Sequence, residues 1–381
     1  MTRKATLLLC LFVAAASAQQ QPKRAKNVIL LLADAGGIPT LNAASIMGYE
    51  APQKLYIQSW QNIGLSDTTP VGRWVTDSAA GMTAIVTGQK TANGVISQAS
   101  DVVRGQKDGT PLKTVLEYAE EHGLSTGVMS NVNIADATPA ACYAHANDRK
   151  NTASIFLEIF SPRFGDGVDV VFGPGRKKIW QAVSDTGKNL DEVAAAKGRT
   201  LYSSLADVPA DARRAIAVVD GEFDHRAAAR MAISILSKNP KGYFLMIESD
   251  AHTDDPEAGL GRVVAFDKLI REIAEIVNPD DTLLLFTADH SFDFRVSAGG
   301  PGEPLLKGVS DWKAQPAETR KQGMRLPYVR MNGSHTGEEV LVAAKGPGAA
   351  RVHGFLPNTQ LFHIMLEAFG WEAAPKLTAA K

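Results

Sequence analysis

The sequence predicts an α/β fold, a three-layer sandwich in which a mostly parallel central sheet is covered by helices on both faces. Short apolar runs alternate along the chain with longer segments whose apolar residues recur at three- and four-residue spacing. Strands that alternate with amphipathic helices are typical of parallel sheets, whose strands are buried on both faces. We therefore expect residues 19–381 to form a single α/β domain.

Each predicted element follows from its apolar pattern. The predicted strands are short, mainly apolar runs: Asn27–Leu32, Ser125–Met129, Val168–Phe172, Ala215–Val219, Tyr243–Ile247, Thr282–Phe286 and Val340–Ala343. The predicted helices have one apolar face: Leu112–Glu121, His225–Ser237, Pro256–Val277 and Pro357–Phe369. Two polar segments interrupt this alternation, near 176–213 and 291–333, and we expect them to be insertions in the domain.

The first eighteen residues have the composition of a secretory signal peptide. Arg3 and Lys4 precede an apolar stretch from Leu7 to Ala16, and Ala16-Ser17-Ala18 matches a small-residue cleavage site. The stretch is too short to span a membrane. We expect residues 1–18 to be removed and the protein to be secreted or periplasmic. Cleavage would leave Cys142 as the sole cysteine, which excludes an intramolecular disulfide.

Charge and hydropathy exclude two classes of partner. The 40 basic and 41 acidic residues give a formal net charge of −1, so the composition offers no electrostatic signature of nucleic-acid binding. No second apolar run approaches the length of a membrane span. We therefore expect neither nucleic acid nor a membrane among the partners of this protein.

Asp289 and His290 follow an apolar predicted strand and indicate a metal site. In open parallel sheets, ligands bind beyond the carboxyl ends of the strands. A carboxylate oxygen and an imidazole nitrogen are suitable ligands for Zn²⁺ or a similar divalent ion. Asp34 has the equivalent place after the first predicted strand, before Gly36 and Gly37. A turn-forming aspartate is the alternative interpretation of Asp34.

Ser78 begins an alanine-rich segment that is predicted to be helical. A helix N-terminus directs free N–H groups at an anion, which suits a serine hydroxyl that attacks a phosphoryl group. A serine at this position is also a common N-cap, and this segment alone leaves both interpretations open. No G-x-S-x-G elbow surrounds Ser78, which argues against an acyl-transfer hydrolase.

Several motifs, taken together, resemble those of the alkaline phosphatase family. They occur in the family's order within a stretch from Asn27 to about Gly370: Thr76–Ala80, Asp136–Ala140, Arg149, Phe172–Lys177, Phe244–Glu248, Thr287–His290 and His335–Glu339. Each motif is weak alone, but their collinearity is specific. The resemblance implies an alkaline-phosphatase-like fold.

The resemblance also implies a role for each matching residue. Ser78 is expected to be the nucleophile that becomes phosphorylated, activated by a metal rather than by a general base. Arg149 is expected to clamp two phosphate oxygens, with Asp77 as its orienting partner. The implied metals are two Zn²⁺ and one Mg²⁺. Their implied ligands are Asp34, Ser78, Asp289 and His290 for one Zn²⁺, His335 for the other, and Asp136, Thr138 and Glu248 for Mg²⁺.

The segment after Glu248 departs from the family's pattern. The family places an aspartate and a histidine five and nine residues after this glutamate, and both bind the second Zn²⁺. Here the segment is about five residues shorter, which leaves Asp250, His252 and Asp254 as candidate ligands. In an extended chain, Asp250 and His252 would point the same way, and so would His252 and Asp254. We prefer the pair Asp250 and His252.

The implied function is that of an exported phosphomonoesterase, which hydrolyses small phosphate monoesters through phospho-Ser78. The protein could form a homodimer, and this assembly remains to be tested. One alternative is a phosphodiesterase or sulfatase of the same superfamily. The other is a non-catalytic relative that binds metal or phosphate, since the altered segment after Glu248 could have cost the second metal.

Overall fold

The computed structural model of the protein describes residues 23–221 and 223–373. The predicted signal peptide, residues 1–18, lies outside the described residues. The strands, numbered in chain order, are β1 (Asn27–Asp34), β2 (Asn62–Ser66), β3 (Ser125–Ser130), β4 (Val170–Pro174), β5 (Leu201–Tyr202), β6 (Ala215–Val219), β7 (Tyr243–Asp250), β8 (Thr282–Thr287), β9 (Ser291–Val296), β10 (Met324–Arg325), β11 (Val329–Thr336), β12 (Val340–Lys345) and β13 (Gly354–Leu356).

The central sheet has ten strands in the order β13-β2-β12-β8-β1-β7-β3-β4-β6-β5. The strands from β8 to β5 in this order all run parallel. Strand β12 is antiparallel to both of its neighbours, β8 and β2. The predicted mostly parallel sheet is therefore confirmed, with one reversed strand that the sequence did not indicate.

Helices cover both faces of this sheet. They are α1 (Ile38–Tyr49), α2 (Ser78–Thr87), α3 (Val115–Glu121), α4 (Ala137–Tyr143), α5 (Thr152–Leu157), α6 (Arg176–Ser184), α7 (Leu190–Ala196), α8 (His225–Leu236), α9 (Pro256–Ile276), α10 (Val309–Lys313), α11 (Ala317–Arg320) and α12 (Gln360–Phe369). Buried residues of β1 alternate between two apolar cores, one with α2 to α7 and α12, the other with α1, α8 and α9. This alternation confirms the three-layer sandwich.

The two polar segments contain structure of their own. Residues 176–213 form α6, α7 and β5, and β5 pairs with β6 at one edge of the central sheet. Residues 291–333 form β9, α10, α11, β10 and the first part of β11. The strands β10, β11 and β9 make a small antiparallel sheet. Buried residues of this sheet, such as Phe292 and Phe294, join the core that contains α1, α8 and α9.

Some predicted boundaries were wrong by a few residues. The helix predicted from Leu112 begins at Val115, because Thr114 and Glu117 form a reciprocal capping box. The strand predicted from Val168 begins at Val170. The helix predicted from Pro357 begins at Gln360, and most other ends differ by only one or two residues.

No helix among the described residues is long and apolar enough to cross a membrane. Cys142 is a free, buried cysteine in α4.

Candidate active site and metal centre

Most of the predicted metal ligands converge at the carboxyl edge of the central sheet. In the sheet register, Leu32 of β1 pairs with Glu248 of β7 on one side and with Thr287 of β8 on the other. Asp34 and Asp289 each lie two residues beyond these pairs. Parallel neighbours therefore bring carboxylates from distant parts of the chain to one edge.

Asp34, Asp289 and His290 form a tight buried cluster. The Nε2 atom of His290 lies 3.2 Å from Asp34 Oδ1 and 3.6 Å from Asp289 Oδ2. Asp289 Oδ1 accepts hydrogen bonds from the backbone N–H groups of Ala35 (3.2 Å) and His290 (3.0 Å). Asp34 Oδ1 and Asp289 Oδ2 are buried and have no hydrogen-bond partner. These three residues can offer ligand atoms within 4.8 Å of one another.

The charges in this cluster shift one another's pKa values. Burial and the charge of Asp34 raise the pKa of Asp289 to about 6. Burial opposes protonation of His290, but the two carboxylates outweigh it and raise its pKa to about 9. Burial also opposes ionisation of Asp34, yet His290, His252 and Arg149 hold its pKa well below the ordinary value. The cluster therefore attracts positive charge, which a divalent cation would supply.

Ser78 is the first residue of α2 and faces this cluster. The helix is capped by Asp77, whose carboxylate accepts a hydrogen bond from the N–H of Ala80 (3.1 Å). The alternative interpretation of Ser78 as the N-cap is therefore wrong, because Asp77 holds that position. The hydroxyl of Ser78 is buried and lies 3.3 Å from His290 Nε2. Its hydroxyl is thus free of a capping role.

The Nδ1 atoms of three histidines beside the site each lie within hydrogen-bond distance of an acceptor oxygen. The Nδ1 atom of His290 contacts the Ser291 carbonyl (3.0 Å) and that of His335 contacts the Thr76 carbonyl (3.0 Å). Because carbonyl oxygens can only accept, both Nδ1 atoms donate, and each neutral ring keeps a lone pair on Nε2. His252 uses its Nδ1 in the same way, toward a carboxylate. The three rings can offer nitrogens within 4.8 Å of one another.

Arg149 lies between two carboxylates beside Ser78. Its guanidinium is 3.2 Å from Asp77 Oδ2 and 2.8 Å from Asp136 Oδ1. Asp77 Oδ1 also accepts hydrogen bonds from the N–H groups of Gly94 (3.1 Å) and Ala80 (3.1 Å). Arg149 is therefore tied to the helix that carries Ser78.

Glu248 and Thr138 provide buried oxygens that have no partner. Glu248 is 1% exposed, and its Oε2 atom and the Oγ1 atom of Thr138 have no hydrogen-bond partner. Burial, reinforced by Asp34, raises the pKa of Glu248 well above its ordinary value. Asp136, the third residue expected here, is half exposed on its side chain and bonds to Arg149.

The three candidates after Glu248 have different surroundings. Asp250 Oδ1 lies 2.7 Å from His252 Nδ1, and Asp250 Oδ2 lies 2.8 Å from an Arg262 nitrogen. The His252 ring lies beside the cluster, with Nδ1 3.8 Å from Asp34 Oδ1. Asp254 is exposed and belongs to neither group of potential metal ligands found among the described residues.

Two parts of the site were not predicted. The Asn93–Gly94 turn contacts Asp77 through the Asn93 side chain and the Gly94 N–H, and its Asn-Gly sequence is a recognisable turn signal. Arg262 reaches the site from α9. No local sequence signal distinguishes it from other charged residues on an amphipathic helix.

Comparisons with known proteins agree with this geometry. The family model described as "Alkaline phosphatase" matches residues 25–214 and 226–334. The streptomycin-6-phosphate phosphatase of Streptomyces griseus is 30% identical, and the match covers 96% of each chain. The alkaline phosphatase of Escherichia coli K12 is 29% identical, over 91% of this chain and 87% of that protein.

Solved structures show the same fold. The alkaline phosphatase of the Antarctic bacterium TAB5 superposes with a TM-score of 0.74 at 26% identity, and the match covers 92% of this chain and all of that one. The Thermus thermophilus alkaline phosphatase gives a TM-score of 0.75 over 96% of each chain, at 22% identity.

Proposed function

Because this chain belongs to the alkaline phosphatase family, we propose that it is an exported, metal-dependent phosphomonoesterase with Ser78 as its nucleophile. The observation that carries the proposal is the position of Ser78. Its buried hydroxyl starts a helix and faces a carboxylate and imidazole cluster, with an arginine held beside it. This combination suits attack on a dianionic phosphoryl group.

The residues at the site fit divalent metals. Asp34 Oδ1, Asp289 Oδ2, Glu248 Oε2 and Thr138 Oγ1 are all buried without hydrogen-bond partners, which costs free energy unless another group satisfies them. In their neutral forms the imidazoles of His290 and His335 have Nε2 lone pairs for coordination, and hydrogen bonds of their Nδ1 atoms orient the rings. Both features support a metal centre.

We assign the residues to three metals. Asp34, Asp289, His290 and Ser78 would hold one Zn²⁺, with nitrogen and oxygen ligands that suit this ion. His335 and residues of the shortened segment would hold a second. Glu248 and Thr138, with Asp136, would hold Mg²⁺ through oxygen ligands. A variant of the TAB5 enzyme was solved with Mg bound in its M3 site, which supports a Mg²⁺ site in this family.

The protein's own groups would position the reaction. Bound divalent cations would supply Lewis-acid chemistry, by lowering the pKa of the serine hydroxyl and of water and by offsetting phosphoryl charge. Ser78 attacks phosphorus from the N-terminus of α2, where free N–H groups face the developing negative charge. Arg149 binds two phosphoryl oxygens, and Asp77 ties it to the helix of Ser78. The nucleophile and the clamp therefore keep a fixed relative geometry.

The preference for monoesters rests on the charge of the substrate. A phosphate monoester offers Arg149 two charged oxygens, whereas a diester or a sulfate monoester carries one negative charge. The relative from Streptomyces griseus is described as a phosphatase of a small phosphorylated molecule. Turnover of an aryl phosphate, a bis-aryl phosphate and an aryl sulfate should be compared. Faster turnover of the diester or sulfate would favour those alternatives.

Trapping of the phosphorylated enzyme tests the nucleophile. The wild-type protein should form phosphoserine at residue 78 when it is quenched in acid with substrate. Ser78→Ala should abolish this species and lower turnover by several orders of magnitude. Ser154→Ala removes an exposed hydroxyl that bonds to the Asn151 carbonyl and serves as the control. Undiminished phosphoenzyme in Ser78→Ala would exclude this serine as the nucleophile.

A non-catalytic relative that binds metal or phosphate is the second candidate. The shortened segment after Glu248 favours it, because loss of the second metal would prevent hydrolysis of the phosphoserine. Such a protein would be phosphorylated once and would not turn over. A single-turnover burst without a steady state would identify it.

Export and assembly are separate parts of the proposal. Cleavage near Ala18 should give a mature chain that starts near Gln19, which N-terminal sequencing of the exported protein would detect. Sedimentation of the mature protein would test the homodimer.

A further inference from the structure

The short connection from β7 to α9 is packed directly against the helix that follows it. A Cβ added to Gly259 would lie 2.2 Å from the His252 carbonyl oxygen, so only a glycine permits this approach. The N–H of Ala251 donates to the Asp34 carbonyl (2.8 Å), which joins the same connection to β1. The backbone at His252 is therefore held on two sides.

Arg262, one turn beyond Gly259 on α9, binds this connection at three points. Its Nε atom donates to the Asp250 carbonyl (2.7 Å), and an Nη atom donates to the His252 carbonyl (3.0 Å). The same guanidinium lies 2.8 Å from the carboxylate oxygen Asp250 Oδ2. A lysine could not make this set of contacts, because it lacks the planar fork.

Each carboxylate oxygen of Asp250 already has a hydrogen-bond or ion-pair partner in the protein. Oδ2 bonds to Arg262, and Oδ1 accepts from the backbone N–H (3.0 Å) and the Nδ1 atom (2.7 Å) of His252. Asp34 Oδ1 and Asp289 Oδ2, in contrast, have no hydrogen-bond partner. Asp250 thus has the contacts of a residue that orients a ligand.

The consequence for His252 is a fixed ring. In the neutral His252 ring, donation from Nδ1 to Asp250 leaves the lone pair of Nε2 free. Donation from Nδ1 to the Thr76 carbonyl has the same effect in His335. The His252 ring lies 5.7 Å from the His335 ring, centroid to centroid. Both histidines belong to the group that can offer nitrogens within 4.8 Å of one another.

We infer that Asp250 and Arg262 are positioning residues: Asp250 orients His252, Arg262 anchors Asp250, and His252 with His335 binds the second metal without Asp250 as a ligand. This inference rests on the proposed metal-dependent function. The ligand pair expected from the sequence was Asp250 and His252. The inferred ligands are instead His252 and His335, and the Asp250 carboxylate orients the His252 ring. Contacts with Arg262 of α9 then hold the shortened segment in a geometry that can still bind the metal.

Metal binding tests this inference without reference to activity. The purified protein is stripped of metal and titrated with Zn²⁺ against a chromophoric chelator. Asp250→Asn and Arg262→Gln should lower the affinity for the second equivalent of Zn²⁺ by about 10- to 100-fold. This is the usual effect of losing a residue that holds a metal ligand in place. His252→Ala should abolish it. Asp254→Asn and Arg271→Gln, on the same connection and the same helix, should match the wild type.

The visible spectrum of the Co²⁺-substituted protein distinguishes a ligand from a positioning residue. Because the absorption bands depend on the ligands, saturated Asp250→Asn should keep the wild-type band positions. A shift of the bands would identify Asp250 as a ligand and overturn the inference, as would unchanged Zn²⁺ affinity in both variants. Arg262→Lys provides a milder substitution if Arg262→Gln does not fold. A wild-type protein that binds no second equivalent would contradict the proposed metal-dependent function itself.

Discussion

Gly81 of α2 faces the backbone of Asp289 so closely that a Cβ on the glycine would lie 2.5 Å from the Asp289 carbonyl oxygen. This contact sets the distance between the helix that carries Ser78 and the loop that carries the cluster of Asp289 and His290. Ser78 is thus placed by backbone packing as well as by its own side-chain contact.

We expect Gly81→Ala to reduce activity while the fold persists. The new methyl group must displace α2 or the Asp289 backbone, and a displacement of about 1 Å at a reacting group can cost about 100-fold in rate. Gly261→Ala, at a helical glycine with open space around its Cβ position, is the control and should leave activity unchanged. Steady-state kinetics and circular dichroism of both variants provide the measurement. Full activity in Gly81→Ala would show that this contact does not position Ser78.

Removal of metal should lower stability as well as activity. The charge of Asp34 adds to burial in raising the pKa values of Asp289 and Glu248 when no cation is present. Metal that binds only the folded state stabilises it by about 4 kcal/mol at a thousand times its dissociation constant. Thermal unfolding after exhaustive dialysis against EDTA should occur at a lower temperature, and Zn²⁺ with Mg²⁺ should restore it. An unchanged melting curve would count against the metal centre.

Arg149→Lys should impair phosphate recognition although it conserves charge. The lysine cannot make two parallel bonds to phosphoryl oxygens, and loss of one such donor costs about 100- to 1,000-fold in rate. The value of kcat/KM should fall and inhibition by inorganic phosphate should weaken. Arg351→Lys is the matched control, since Arg351 pairs with Glu367 in another part of the fold. Equal phosphate inhibition in the Arg149 variant and the wild type would remove Arg149 from the binding site.

Glu120 makes stability depend on pH at a place outside the proposed active site. Burial, reinforced by Asp169 and Asp166, raises its pKa to about 7 from 4.5, although Thr126 and the Gly167 N–H donate to it. A raised pKa means that the folded state is favoured below pH 4.5 and that this contribution is lost as the pH rises through 7. Stability should therefore fall across this window.

Glu120→Gln should remove this pH dependence. The amide conserves shape and can still pair with Thr126 and Gly167, but it does not ionise. The variant should be more stable than the wild type above pH 7, by up to about 3 kcal/mol, and similar near pH 4.5. Denaturant unfolding at both pH values measures this, with Glu121→Gln as the exposed neighbour control. A less stable variant at pH 8 would contradict the expected cost of the buried charge.

The central strands could be predicted because their burial leaves a continuous apolar pattern. Segments such as Thr282–Phe286 have no other plausible place than the core. The direction of β12 could not be predicted, because an apolar run looks the same whether its strand pairs parallel or antiparallel with its neighbours. The small sheet was missed because it lies in a segment rich in glycine, proline and lysine, although Phe292 and Phe294 alternate as expected for a half-buried strand.

Apart from what the family resemblance implied, the candidate site was predictable only where the chain continues a strand. Asp34 and Asp289 follow apolar runs, and the sheet register then brings them together. The orientation of Asp250 toward Arg262 depends on how α9 packs, which no local pattern encodes. For the same reason the sequence could not decide between the two pairings of His252.

The candidate site is built from residues that lie far apart in the sequence. Ser78 contacts His290, 212 residues later, and the carbonyl of Thr76 contacts His335, 259 residues later. Contacts between such distant residues close large loops, and the entropy of loop closure slows folding. A nascent chain that has not yet reached His335 lacks part of the candidate site, so the site can be completed only after most of the chain has been synthesised. Molecules truncated before His335 would therefore lack a complete site.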